Sequence, residues 1–499
     1  MTVVARPRLD DLLRPWGVSA PAVEVAALAL DSRQVSPGGL FLAVAGTCGH
    51  GLEYLDDALA RGAAAVVWEP AEATPAVDVE ARCRATGAVA VAMPRLARCV
   101  GEVAARFFGE PGERLRLVGV TGTDGKTSTT QFIARALDTD VSPWAVVGTI
   151  GWGRPGALAP ATHTTPDAVS LQRQLAALVD AGVSGAVLEV SSHALDQQRT
   201  GGLGFDVAVL TNLSRDHLDY HGTDEAYAAA KAKLFREPPP AVAVLNMDDP
   251  FGRRLAAEPQ SPVVGYSVAG DRRARVCASA IETTPAGLTL SFTVDEQALT
   301  LALPLFGRFN AANVLATAAT LLAFGFTATE METALRRLHP VPGRMEALGG
   351  GARPTVVVDY AHTPAALAAA LEAVREHFPG RLWCVCGCGG DRDRGKRPLM
   401  AEAAARLADE VVFTSDNPRS ESPGAILEDM RAGLPAGRSA TLLVDRAEAI
   451  AHAVGGAGAG DAVLIAGKGH EDYQIVGDRR LAFSDRAVVE TALEAGEAG

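Results

Sequence analysis

No uninterrupted apolar run in this 499-residue chain reaches the roughly 18 residues that span a bilayer. The opening Met1-Thr-Val-Val-Ala-Arg-Pro-Arg-Leu-Asp-Asp11 lacks the apolar core of a signal peptide. A cytoplasmic location with no membrane insertion is therefore expected. Cysteine is scarce, and seven in so long a chain make no disulfide framework. Three of them, Cys384, Cys386 and Cys388, alternate along a strand end. Their spacing is not the CxxC of zinc sites, so they are expected to pack. Positive charge is short as well. Against 59 Asp and Glu stand 46 Lys and Arg, a net −13 that argues against a general nucleic-acid binder or adsorption to acidic membranes. Anionic small molecules remain open to it, because local Arg, Lys and helix termini capture those. No internal repeat is present.

What remains is a soluble globular composition, 48% hydrophobic and 21% charged, long enough for two to four domains. One stretch carries explicit chemistry. The β-branched and Leu-rich run Leu115–Val120 breaks at Gly122 and Gly125 and restarts as a helix-like segment, Thr127–Leu137. Strand, glycine loop, Lys-Thr and helix is the recipe for a nucleotide triphosphate. Backbone N–H groups converge on phosphate oxygens, and the helix N-terminus adds partial positive charge. The loop is Gly122, Thr123, Asp124, Gly125, Lys126, Thr127 and Ser128. Lys126 would reach the outer phosphates, and the Thr127 hydroxyl would sit on Mg²⁺. Val120 occupies the place of the first glycine in the strict GxxxxGK[ST] pattern, so the loop is a variant.

Around it the pattern is α/β. Residues 1–93 mix strands at Leu28–Arg33, Gly39–Gly46 and Ala63–Trp68 with a helix over Gly51–Ala60. A boundary near Met93-Pro94 leads through a helix, Arg95–Phe108, into the loop strand. From 94 to 341 strands and helices alternate, as in a mostly parallel sheet covered on both faces. Arg275–Leu303 reads instead as an antiparallel extension. A third part, 342–499, opens with Thr355–Tyr360 and repeats the pattern in Rossmann-like fashion, each strand running into a polar or Gly-rich loop. Gly455–Gly460 reads as a flexible loop.

Polar clusters follow several strands. Glu189-Val-Ser-Ser-His193 and Asn212–Gly222, with Asp216, His217, Asp219 and His221, could hold Mg²⁺ beside the phosphates. Asp359–Pro364, Gly387–Arg397, Asp416–Arg419 and Gly467–Glu471 suit a zwitterionic ligand, since Arg pairs carboxylates while carboxylates and amides take an ammonium. Lys231 and Lys233, taken alone, read as solvated surface lysines.

Together these motifs resemble the Mur ligases of peptidoglycan synthesis, from Leu30-Asp-Ser-Arg33 to Gly467-Lys-Gly-His-Glu471. Gly122–Ser128 is similar to the family's GTxGKT loop, which accounts for Val120. His217–Gly222, Asp359–Pro364 and Asp416–Arg419 strengthen the match. The resemblance implies three domains, for a UDP-sugar, ATP and an incoming amino acid. It also implies an ATP-dependent ligase that adds meso-diaminopimelate to the D-Glu carboxylate of UDP-MurNAc-L-Ala-D-Glu through an acyl phosphate. Lys126, Glu189, His217 and Lys231 would be catalytic. Thr127, Glu189, His217 and Lys231 would serve Mg²⁺, with Lys231 as the family's carbamylated lysine. Asn310, Arg344, Asp359 and His362 join the loop in binding ATP. Leu30, Ser32, Thr47, Cys48 and Gly49 match the uridine site. His163, Thr164, Thr165, Ser191, Gln197 and Arg199 match the muramoyl-dipeptide site, His163 departing from the family's Asn. Arg392, Asp416, Asn417, Pro418, Arg419, Gly467 and Glu471 match the diaminopimelate pocket. A monomer is expected.

Arg419 carries the choice of amino acid. Diaminopimelate differs from lysine by a distal carboxylate, without which a buried guanidinium is left unpaired. The alternatives are the same ligation with L-lysine, LL-diaminopimelate or L-ornithine, a folylpolyglutamate synthase, and a P-loop ATPase that couples hydrolysis to partner binding.

Overall fold

Short runs of Val, Leu, Ile and Ala that are apolar on both faces form the buried strands of parallel sheets. The computed structural model describes residues 6–46, 49–71 and 77–495, and the chain divides into two units at Val264 and Gly265. Within the first unit, β1 (Leu28–Ala29), β2 (Gly39–Ala43), β3 (Ala63–Trp68) and β4 (Val89–Ala92) pair in that order, all parallel. The expected strand over Leu28–Arg33 is cut to two residues, because Asp31 accepts from Arg33 N and caps a turn at Ser32–Gln34. The helix expected over Gly51–Ala60 starts as a 3₁₀ turn, Gly51–Tyr54.

The second sheet of this unit contains β5 (Arg116–Thr121), β6 (Trp144–Gly148), β7 (Gly151–Gly153), β8 (Gly185–Glu189), β9 (Val207–Leu210), β10 (Val242–Asn246) and β11 (Val263–Ser267). Their order is β11-β10-β9-β5-β8-β6-β7. From β10 to β6 every pairing is parallel, and only β7 runs antiparallel, to β6. Helix Leu96–Phe107 buries Leu96, Val100, Val103 and Ala104, one stripe at helical spacing, among Leu9, Leu12, Leu40 and Val67. Each such large side chain contributes about 1.5–3 kcal/mol of burial.

In the second unit, the end of β11 pairs in parallel with β12 (Val276–Thr284), followed by β13 (Gly287–Val294) and β14 (Gln297–Leu303) in an antiparallel meander. Leu288, Leu290, Phe292 and Val294 point inward along β13, the period of two that the sequence displays. A six-stranded sheet follows: β15 (Glu346–Gly349), β16 (Thr355–Asp359), β17 (Leu382–Cys386), β18 (Glu410–Phe413), β19 (Thr441–Leu442) and β20 (Ala462–Ala466). Its order is β15-β16-β20-β17-β18-β19, parallel except for β15. Cys384, Cys386 and Cys388 are buried in the core on one face, with Val357 and Leu464, and so pack as expected. The other face holds Val356, Val358, Val385 and Ile465. A hairpin, β21 (Tyr473–Val476) with β22 (Arg479–Ala482), completes the strands. Gly455 and Gly456 are not loop but the end of helix Arg446–Gly456, whose Ala449, Ile450 and Ala453 are buried. Among the described residues, no helix is long and apolar enough to cross a membrane.

Candidate active site

The loop after β5 is tied down from its neighbour strand. Thr123 N donates to Asn212 O (3.0 Å), Asp124 N to Asn212 Oδ1 (2.9 Å), and Thr211 Oγ1 to Asp124 O (2.6 Å). Gly122 has φ +153°, and a Cβ there would stand 1.8 Å from Thr211 Oγ1, so only glycine admits this approach. Lys126 opens helix Lys126–Leu137 and folds back, its Nζ 2.9 Å from both Gly122 O and Thr123 O. The ammonium thus lies over the backbone of its own loop.

Beside the loop, Glu189 ends β8 as a buried carboxylate. It accepts from Thr127 Oγ1 (2.9 Å), Thr149 Oγ1 (3.0 Å) and Thr149 N (2.9 Å). These are hard oxygen donors, the chemistry Mg²⁺ prefers, and a cation would take over the place of the hydroxyl protons. Lys231 is 1% exposed, which overturns the surface reading of that lysine. Its Nζ donates to Gly122 O (2.7 Å) and lies 4.5 Å from the Tyr227 ring centroid. Burial first, then the nearby Lys126 ammonium, push its pKa well below the usual lysine value. As an ammonium Lys231 does not fit a metal site. As a neutral amine it can take up CO₂ to give a carbamate, which does. Lys233, by contrast, is partly exposed and pairs with Asp196 (3.1 Å).

His217 has φ +52°, is exposed, and lies 3.4 Å from Asp216. Its ring packs edge-on against His193 (4.9 Å) and Tyr227 (6.1 Å), so His217 and Lys231 flank the same tyrosine. Among the described residues, no group of three His, Cys, Asp or Glu is arranged to hold a metal.

The dipeptide candidates converge in part. Thr165 Oγ1 donates to Glu189 O (2.8 Å), Ser191 N donates to Thr165 Oγ1 (3.1 Å), and the Thr149 and Thr164 hydroxyl oxygens lie 3.0 Å apart. Arg199 donates to Thr165 O (2.9 Å) and to Gln197 Oε1 (2.7 Å). His163 is exposed, with Thr162 Oγ1 3.1 Å from its ring nitrogen. Leu30 and Ser32 follow β1, and Gly49 lies beyond β2. Thr47 and Cys48 fall outside the described residues.

In the second unit, four strand ends supply the polar loops. After β16, Asp359 accepts from Met345 N and Ala361 N, both at 2.8 Å. Desolvation raises its carboxyl above the ordinary range, with Arg344 opposing. The Arg344 guanidinium lies 4.5 Å over the Tyr360 ring, and His362 is exposed. Asn310 is buried in helix Phe309–Ala323, donating to Phe306 O (2.8 Å).

The loops after β18 and β20 meet. Lys468 Nζ, fully buried, donates to Glu471 (3.0 Å) and Asn417 Oδ1 (3.3 Å) and lies 3.7 Å from Asp416. Asn417 Nδ2 donates to Glu471 (3.0 Å). Asp416 Oδ1 is buried with no hydrogen-bond partner, and burial raises the carboxyl against Arg446 and Lys468. An unsatisfied buried carboxylate oxygen is costly, and a ligand ammonium would satisfy it. Arg419 Nη1 donates to Gly390 O (2.8 Å), while Arg392 is exposed.

Sequence reasoning missed two buried arginines. Arg446 binds Asp485 bidentately (2.7 and 2.8 Å), both side chains fully buried. It also donates to Ser415 O and Ala466 O, tying the ends of β18 and β20 together. Arg397, also buried, holds Glu421 and Asp429. No motif announces either, although Arg397 stands in the sequence cluster Gly387–Arg397.

Three family models match in succession: the Mur ligase family catalytic domain at residues 24–108, the Mur ligase middle domain at 120–321, and the Mur ligase glutamate ligase domain at 343–469. The chain belongs to the Mur ligase family, three-domain ATP-dependent ligases. It is 52% identical over 491 residues to the UDP-N-acetylmuramoyl-L-alanyl-D-glutamate–2,6-diaminopimelate ligase of Alkalilimnicola ehrlichii, covering 97% of this chain and 98% of the relative. It is 50% identical over 471 residues to the ligase of the same name from Pseudomonas aeruginosa, covering 94% and 95%. A solved structure of a ligase so named superposes with TM-score 0.72 at 36% identity, covering 99% of both chains. MurF from Acinetobacter baumannii, at 17% identity and TM-score 0.65, shares the fold.

Proposed function

We propose that this enzyme joins 2,6-diaminopimelate to the D-Glu carboxylate of UDP-MurNAc-L-Ala-D-Glu, with ATP, in cytoplasmic peptidoglycan precursor synthesis. The observation that carries this reading is the polar cluster of Asp416, Asn417, Lys468 and Glu471 with Arg419 on the same loop as Asp416. An orphaned carboxylate oxygen and a guanidinium on one loop suit an amino acid with an extra carboxylate. The relatives' printed names support the same substrates.

A carboxylate is a poor acyl donor until phosphorylated. The D-Glu carboxylate oxygen bonds to the γ-phosphorus as the bond to ADP breaks, giving an acyl phosphate. The amino group, having lost a proton, then adds to the acyl carbon, and phosphate departs. The protein's share is positioning and neutralising charge. Lys126 and the loop N–H groups would hold the phosphates. Thr165, Ser191, Gln197 and Arg199 would hold the dipeptide, with His163, Thr164 and the Leu30, Ser32 and Gly49 positions toward the nucleotide. Thr127, Glu189, His217 and the Lys231 carbamate would hold Mg²⁺, which would draw charge from the transferring phosphoryl group. Asn310, Arg344, Asp359 and His362 would contact ATP. The division at residues 93 and 341 and a monomeric state belong to this reading; the gap between the second and third family models brackets 341, whereas the first model runs past 93 to residue 108.

An ¹⁸O label in the D-Glu carboxylate tests the chemistry. Transfer of one label to inorganic phosphate is expected. Label lost to water or to the nucleotide, and absent from inorganic phosphate, would rule out the acyl phosphate.

A further inference from the structure

We propose that Glu421, which touches no substrate in the reading above, is the positioning residue that holds Arg419 in register for the distal carboxylate of the amino acid. This rests on that functional reading and adds what makes the guanidinium selective.

Arg419 has φ +50°, a conformation that an L residue keeps only when its surroundings impose it. The surroundings are a clasp between two loops. Across from Arg419, Asp391 is also left-handed, at φ +53°. Ser420, the next residue, donates to the Asp391 carboxylate through Oγ (2.6 Å) and N (3.1 Å). Glu421 then closes the loop: one oxygen accepts from Asp391 N (2.7 Å) and from Arg397 (2.8 Å), the other from Arg394 (2.8 Å). Arg397 is fully buried, so the clasp is anchored in the core. Beneath it the two loops touch backbone to backbone. A Cβ on Gly390 would stand 1.9 Å from Pro418 O, and Gly390 O is the acceptor for Arg419 Nη1.

Both carboxylate oxygens of Glu421 are thus taken by protein donors, and neither is left for a ligand. Arg397, above all, holds the Glu421 carboxyl down to about 2, so the clasp stays charged through the working range. Releasing it lets Arg419 leave the left-handed conformation and turns its guanidinium away from a fixed direction. A substrate with a distal carboxylate loses its partner, whereas lysine, which lacks that group, loses nothing there.

The test compares wild type, Glu421→Gln and Ser420→Ala, each assayed with meso-diaminopimelate and with L-lysine at saturating ATP and nucleotide-dipeptide. Glu421→Gln is expected to raise the diaminopimelate KM about tenfold or more, with kcat and the KM for ATP nearly unchanged. The diaminopimelate-to-lysine ratio of kcat/KM falls by a like factor. Ser420→Ala, at an exposed position, shifts the ratio the same way by less, and serves alone if Glu421→Gln fails to fold. Parallel losses for both amino acids, or a fall in kcat with KM unmoved, overturn the inference and leave the ligase reading intact. A wild-type enzyme that prefers lysine overturns both.

Discussion

Lys231→Met separates stability from activity at one side chain. The substitution keeps the length and the burial but removes the amine. In the wild type that amine is 1% exposed and held well below its ordinary pKa by burial and by Lys126. The unfolded chain binds a proton at about 10.4 that the native state refuses, so native stability falls as pH drops through that value and stays low at neutral pH. Each pH unit between the unfolded and native pKa values costs about 1.4 kcal/mol. Against it stands the hydrogen bond to Gly122 O at 2.7 Å, worth about 1 kcal/mol net. One such pH unit already outweighs that bond. The variant is expected to be at least as stable as wild type at pH 7 in CO₂-depleted buffer, the advantage shrinking toward pH 10, measured by urea unfolding at several pH values. Its ligase activity is expected to be lost. Wild-type activity is expected to rise with added bicarbonate, because RNH₂ + CO₂ gives RNHCOO⁻ + H⁺ and supplies the metal-binding carboxylate. A variant that is destabilised equally at every pH, or one that keeps its activity, would refute the reasoning.

Glu189→Gln should lower kcat by about 100-fold or more while the KM for the nucleotide-dipeptide changes little, because an amide cannot replace the carboxylate that Thr127 and Thr149 orient. Steady-state kinetics decide it, and unchanged kcat would remove Glu189 from the mechanism. Asp416 is raised by burial, against Arg446 and Lys468 and with Glu471 and Asp485 adding to the rise. Lowering pH therefore protonates it while a surface aspartate is still ionised, so the diaminopimelate KM climbs on the acid side, and Asp416→Asn flattens that limb. Arg446→Met leaves Asp485 buried and unpaired and should cost about 3–5 kcal/mol in chemical denaturation. Adding Asp485→Leu should recover most of it.

Much of this was legible in the sequence because it is local. Strand, glycine loop and Lys-Thr specify the cradle at Gly122–Ser128, and β3 falls at its expected residues, Ala63–Trp68. The period of two over 288–294 likewise marks an antiparallel strand. What was not legible depends on distant partners. Lys231 reads as a surface lysine until Gly122 and Tyr227, more than a hundred residues away in the first case, are seen to enclose it. Arg446 and Arg397 look like ordinary helix residues, and only Asp485, Glu421 and Asp429 explain their burial. Gly455-Gly456 suggests a loop, yet the buried side of its helix carries those two residues along, tertiary packing overriding weak propensity. The division of the chain at Val264 has no compositional mark at all.

The most direct measurement supplies the enzyme with ATP, Mg²⁺ and UDP-MurNAc-L-Ala-D-Glu, adds meso-diaminopimelate, LL-diaminopimelate, L-lysine or L-ornithine separately, and follows phosphate and tripeptide together. The account predicts phosphate release coupled one to one with tripeptide and fastest with meso-diaminopimelate. Phosphate release indifferent to the amino acid, or tripeptide formed mainly with lysine, would contradict it.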